Sequence, residues 1–216
     1  MAGLSQVEAA MRLRVTQAYL SMLESGRRQP STAVVELAVE AYGASPLELP
    51  LPSVGAAGTD AVDFAAELGV LGYPGYSHQR RSERRNPAEL LFRALAQPEL
   101  EPRIVDALPW LAVRFADMEW AWVVQHAKLY DVQNRLGYVL GLAVEAAGRM
   151  HMPEAMAMLA ASRAHMERSR LAREDTLCHE NMTQAERKWL RLNRTELAQH
   201  WNLLTNLEVD HLAYAK

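Results

Sequence analysis

The sequence predicts an all-α protein, a short helical unit followed by a larger helical bundle or array, and three observations carry that prediction. Residues 4–30 hold two short helical patterns, each with one apolar face, separated by a tight turn. From Asn86 onward apolar residues return at the three- and four-residue intervals of a helix face. No stretch alternates apolar and polar residues over a useful strand length. A chain of 216 residues, half of them apolar, has length for one small domain and a larger one.

In the first helix Ser5 is a natural N-cap, and Glu8 three residues later completes a capping box. Ala9, Ala10 and Leu13 form its inward stripe, and the small residues let another helix cross closely. Thr16 caps the second helix, Leu20 and Leu23 face inward, and Ser25-Gly26 stops it. Gln17, Ala18, Ser21 and Met22 are left facing outward. A helix presented in this way fits the major groove of B-DNA, where a glutamine at its start can pair with the N6 and N7 edge of adenine.

Leu4-Ser5-Gln6, the paired Ala9 and Ala10, Val15-Thr16-Gln17, Leu20, Leu23-Glu24, Gly26 and Pro30, continued by Leu37-Ala38 and Ala41-Tyr42-Gly43, resemble the helix-turn-helix of the phage repressor and Cro class. These are the xenobiotic-response-element-type regulators. The likeness covers the first fifty or so residues, less than a quarter of the chain. It implies a recognition helix from Thr16 to Met22, with Thr16, Gln17, Ala18, Ser21 and Met22 as base-reading positions. It also implies phosphate contacts at Gln6, Arg27 and Arg28, which set register rather than sequence. Members of the class usually bind as dimers on half-sites about one helical turn apart, so double-stranded DNA and a second copy are the implied partners.

The chain departs from the family pattern twice. A further helix normally precedes the position of Gly3, so the unit is expected to be a truncated helix-turn-helix, either through a start assigned too far downstream or with its cover supplied elsewhere. Arg14 stands where the family prefers glycine for a positive φ, a conformation that costs a side-chain-bearing residue about 1–2 kcal/mol.

Residues 31–42 continue as a helix to Gly43, and Ser45-Pro46 starts a short one before Pro50-Leu51-Pro52 closes the first domain, residues 1–50. Residues 52–59 have linker composition. The connecting segment, residues 51–85, is expected to hold a short helix over residues 60–71 and an arginine-rich loop. Arg80, Arg81, Arg84 and Arg85, flanked by Tyr73 and Tyr76, either grip phosphate or form a solvated connector.

The larger domain, residues 86–216, opens on Asn86-Pro87-Ala88-Glu89, an N-cap, a first-turn proline and a capping glutamate. Ile104, Val105, Leu108, Leu111, Ala112 and Phe115 share a face, with Pro109 expected to kink or restart that helix. Leu136, Val139, Leu140, Ala143, Val144 and Ala147 form a second stripe. Pro153 starts a helix running to about Leu171, and Thr183 with Glu186 caps a last one toward the C-terminus. This domain is expected to serve dimerisation, effector sensing or partner binding.

Trp120 and Trp122, two apart, point about 200° away from each other on a helix. One must find its own cover, in a neighbouring helix or across an interface with a partner chain. Trp110, Trp189 and Trp201 read as core. Gly137 and Gly141 mark close helix packing. Asp131, Gln133, Asn134 and Arg135 form either a buried hydrogen-bond network or a small-molecule pocket.

The net charge of −3 argues against a chain that coats nucleic acid indiscriminately. DNA contact has to be local, through Arg12, Arg14, Arg27 and Arg28. The single cysteine, Cys178, rules out an internal disulfide and fits a reducing cytoplasm. No apolar run has the length of a membrane span. Only Glu208-Val209-Asp210-His211 has the Glu-x-x-His spacing of di-metal bundles, which need a second copy, and Cys178-His179-Glu180 lacks the second cysteine of a zinc site. No nucleophile motif or phosphate loop occurs, so neither enzyme, metal nor cofactor is expected. The regulator reading competes with an antitoxin-like chain whose C-terminal helices bind another protein and whose DNA binding serves autoregulation.

Overall fold

A computed structural model of the chain describes residues 4–53, 62–78 and 85–215. Among the described residues are eleven α-helices and one two-stranded sheet. The all-α class is therefore as predicted.

Three helices form the N-terminal unit: α1 (Gln6–Arg12), α2 (Gln17–Glu24) and α3 (Thr32–Tyr42). Ala9, Ala10, Leu13 and Leu20 make its small core, with Val15, Leu37, Ala38 and Ala41 packed against them. A one-turn 3-10 segment, Pro46–Glu48, follows with Ser45 as its cap.

Residues 47–52 are fastened to the larger body, and the linker expected over residues 52–59 lies mostly outside the described residues. Leu47 and Leu51 pack on its core. The Asn86 side-chain amide donates to the carbonyls of Leu47 and Leu49 at 3.2 and 2.7 Å, and the Trp122 indole donates to that of Pro52 at 3.0 Å. Asn86 also caps the helix it starts, accepting from the Ala88 amide at 2.9 Å.

The larger body begins with α4 (Phe64–Val70), shorter than the helix expected from residue 60 because Asp63 caps it, accepting from the Ala66 amide at 3.0 Å. Then come α5 (Pro87–Leu95), α6 (Pro102–Arg114), α7 (Trp120–Leu129), α8 (Gln133–Arg149) and α9 (Pro153–Glu167). Pro109 does not restart α6; the buried Leu108, Trp110, Leu111 and Ala112 around it hold one continuous helix.

Helix α8 is the centre of the core, with Leu136, Tyr138, Val139, Leu140, Ala143, Ala146 and Ala147 fully buried. Its glycines admit close neighbours. A Cβ on Gly137 would lie 2.3 Å from the Trp201 ring, and one on Gly141 would lie 2.8 Å from Leu197.

In the polar cluster at the start of α8, Asn134 and Arg135 join a hydrogen-bond network, whereas the buried Gln133 carbonyl oxygen has no partner among the described residues and Asp131 is exposed. Arg135 donates to both carboxylate oxygens of Asp175 at 2.8 and 2.9 Å, to the carbonyls of Leu95 and Gln97 at 3.0 and 2.8 Å, and to Glu180 at 3.2 Å. Every guanidinium N–H thus has an acceptor. Asn134 exchanges two hydrogen bonds with the backbone of Leu171, at 2.9 and 2.8 Å. That exchange accounts for the end of α9 at Glu167 rather than near Leu171: the Leu171 backbone is bonded to α8 instead of continuing a helical ladder.

The C-terminal fifth differs most from expectation. The helix capped by Thr183 and Glu186 is α10 (Gln184–Asn193), and it does not run on. Thr195 caps a separate helix, α11 (Glu196–His200), by accepting from the Ala198 amide at 3.0 Å. Asn202, at φ +52°, then turns the chain into a strand. Strands β1 (Asp175–Thr176) and β2 (Leu203–Leu204) pair in parallel, Asp175 opposite Leu203 and Thr176 opposite Leu204. Two residues are too few to leave an alternating pattern. Trp201 and Trp110 are buried as expected, but Trp189 is 52% exposed.

Cys178 is buried behind α5, its thiol directed at the Ala94 carbonyl at 3.4 Å, and burial pushes it up to about 12. That makes it an inert thiol at neutral pH. No described helix is long and apolar enough to cross a membrane.

Candidate nucleic-acid interface

The geometry of the N-terminal unit is set by its caps. The Ser5 amide and hydroxyl both donate to Glu8, at 2.8 and 2.7 Å, and the Glu8 amide donates back to the Ser5 hydroxyl at 3.3 Å. These bonds hold the Glu8 carboxyl below the usual carboxylate range. The turn after α1 passes through Arg14 at φ +52°, the left-handed conformation foreseen there. Thr16 then caps α2, accepting from the Tyr19 amide at 3.2 Å. Gly26, at φ +69°, closes α2, and the Arg27 amide returns to the Met22 carbonyl at 2.9 Å.

This arrangement leaves Thr16, Gln17, Ala18, Ser21 and Met22 on the outside of α2, all exposed, while Leu20 is buried beneath them. Arg27 and Arg28 are exposed in the turn that follows, and the Arg28 guanidinium lies 5.1 Å from the centre of the Tyr19 ring. Arg12 and Arg14 are exposed as well.

Gln6 is joined to the recognition helix. Its side-chain N–H donates to Glu24 at 2.7 Å, and its carbonyl oxygen accepts from the Gln17 amide at 3.1 Å. The order of this relay follows from chemistry. Glu24 as a carboxylate only accepts, so the NH₂ of Gln6 must face it; the Gln6 oxygen then faces Gln17, which must present its own NH₂. Gln17 keeps one N–H and its carbonyl oxygen free, the donor and acceptor that match adenine N7 and N6. Reading residues singly does not find the part of Glu24, because eighteen positions separate it from Gln6 and no helical period links them.

The other sites foreseen in the sequence fare differently. Arg85 is not available to a phosphate: it is paired with Glu67 at 3.1 Å and Glu89 at 3.0 Å, pinning α4 to α5. Burial raises Glu67 and the two glutamates raise Arg85. Arg80, Arg81 and Arg84 lie outside the described residues. Trp120 and Trp122 are half-buried and covered by their own chain. The Trp120 indole donates to the Ala116 carbonyl at 2.7 Å, and Trp122 stacks on His126 at 3.7 Å and meets Phe92 edge-on at 5.7 Å. Among the described residues no three His, Cys, Asp or Glu side chains are grouped to hold a metal ion.

Residues 1–51 match a family model described as a helix-turn-helix domain. No match was found among curated proteins or among solved structures. The N-terminal unit is thus a helix-turn-helix domain, the kind of unit that lays its second helix in the major groove of DNA.

Proposed function

We propose that this chain is a sequence-specific DNA-binding transcription regulator of the repressor and Cro type, acting as a homodimeric repressor without enzymatic activity or cofactor. The observation that carries the reading is the relay from Glu24 through Gln6 to Gln17, which fixes which end of the Gln17 amide faces outward. An ordinary helical hairpin has no need to orient an exposed glutamine. Thr16, Ala18, Ser21 and Met22 complete the base-facing surface. Arg27 and Arg28 supply phosphate contacts, and Gln6 acts chiefly by positioning Gln17.

The test is salt-dependent binding to the promoter fragment of the chain's own gene. Gln17→Ala should cost about 1–3 kcal/mol on the operator and relax preference at one base position, whereas Arg27→Ala should weaken all sequences alike and reduce the salt slope. Equal losses for Gln17→Ala on operator and scrambled DNA would overturn the assignment.

A second reading, a protein-binding antitoxin-like module, is favoured by one surface. Met150, Met152, Met156 and Met158 stand exposed at and beside the start of α9. Flexible thioethers suit an adaptable protein contact. Specific DNA binding that persists when these methionines are changed to glutamine, with no partner protein needed, would favour the regulator over the module.

A further inference from the structure

A cleft of about 550 Å³ opens between the first half of α6, the segment before α10, α10 itself and the residues after β2. That volume lies within the range of small-molecule sites. Its lining includes the buried Leu177 and Leu204, and Trp189 at its side is the exposed tryptophan that sequence periodicity assigns to the core. No lysine or arginine lines it, whereas Glu99, Asp106 and Glu186 do, together with His179 and His211.

Two of the three carboxylates are already engaged. Glu99 takes bonds from His179 at 2.5 Å and from the Asn181 amide at 3.2 Å, and Glu186 takes bonds from the amide and hydroxyl of Thr183 at 2.7 and 2.8 Å. Asp106 is half-buried and, among the described residues, has neither a hydrogen bond nor an ion pair. Burial raises its carboxyl, and nearby His211 pulls it back only in part. A carboxylate partly removed from water, with no ion pair and only His211 nearby, is left with a cost that a positive ligand would offset.

We propose that this cleft binds a small organic cation, its apolar body lying on Leu177, Leu204 and the Trp189 ring and its positive centre pairing with Asp106. An anion would meet three carboxylates, and a neutral ligand would leave Asp106 unpaired. A cation also gains from the face of Trp189. The site belongs to the larger body and is read without DNA, so its failure leaves the DNA-binding proposal standing.

The experiment is calorimetric titration of the full chain with a matched series: 4-phenylbutylamine, 4-phenylbutanol and 4-phenylbutyrate. The amine should bind at least about tenfold more tightly than the alcohol, and the carboxylate should give no heat of binding. Asp106→Asn should bring the amine down to the affinity of the alcohol and leave the alcohol unchanged. Met182→Trp, which fills the cleft from its flank, should abolish both and provides the check if the asparagine variant melts early. No binding of the amine at millimolar concentration, equal affinity for amine and alcohol, or an Asp106→Asn variant that keeps the preference for the amine would each overturn the proposal.

Discussion

The helix-turn-helix domain and the helical body that follows it solve opposite problems with the same secondary structure. The first gathers a small cluster of Ala9, Ala10, Leu13 and Leu20, with Val39 buried on α3, and turns its polar residues outward. The second buries whole helices: α5 is enclosed along its full length, and α8 carries an arginine, an asparagine and a glutamine into the interior. A unit that reads DNA needs an exposed, orientable face, and caps and a small core suffice to hold it. A body of this size has apolar area to offset the burial of polar groups, most of them bonded as Arg135 and Asn134 are, even where an atom such as the Gln133 carbonyl oxygen lacks a partner among the described residues.

The largest test of that contrast is Arg135→Ala. Removing the guanidinium leaves the Asp175 carboxylate with the Thr176 amide alone and the carbonyls of Leu95 and Gln97 without their Arg135 donor, and breaking a buried pair in this way should cost about 3–5 kcal/mol. For a chain of this size that lowers the melting temperature by roughly 6–20 °C. A loss under about 1 kcal/mol in chemical denaturation, the value of a surface pair, would mean that the network is solvated and the contrast false.

The seam between the two regions is tested by Asn86→Ala. This change removes a helix cap and both bonds to the Leu47 and Leu49 carbonyls, and should cost about 1–2 kcal/mol. Faster amide exchange should follow at residues 47–52, with α8 unaffected. Unchanged exchange there would show that packing of Leu47 and Leu51 alone secures the junction.

The smallest effect should come from Arg14→Gly. Glycine relieves the positive φ, partly offset by its greater freedom in the unfolded chain, so a gain of about 0.5–1 kcal/mol is expected, confined to the amides of α1 and α2. Weaker DNA binding at low salt should accompany it, since one exposed positive charge is lost. A loss of stability would show that the Arg14 side chain makes up for its strained backbone.

Much of the small domain was legible because its determinants are local. Ser5 with Glu8, Thr16, Gly26 and Gly43 each act within a few residues of where they stand, and a strained Arg14 can be read from the shape of the turn around it. The relay to Glu24 was not legible, since it depends on how α1 lies against the end of α2. In the larger body the stripes on α6 and α8 and the caps at Asn86 and Thr183 were equally plain, and Gly137 and Gly141 announced close packing without naming Trp201 and Leu197 as the partners. Arg85 was misread because its charge was visible and its two glutamates, on different helices, were not.

The sequence alone determined the helical class, the starts of most helices and the outward face of α2, because capping and the helical period act through neighbours along the chain. Only the tertiary structure decided that α9 ends at Glu167, that the helix from Thr183 gives way to α11 and a two-residue strand, that Trp189 is exposed and that Asp106 lines a cleft with no ion pair among the described residues. The end of α9 and the strand pairing are set by groups distant in sequence, Asn134 against Leu171 and Asp175 opposite Leu203, whose bonds form only once the chain has brought them together.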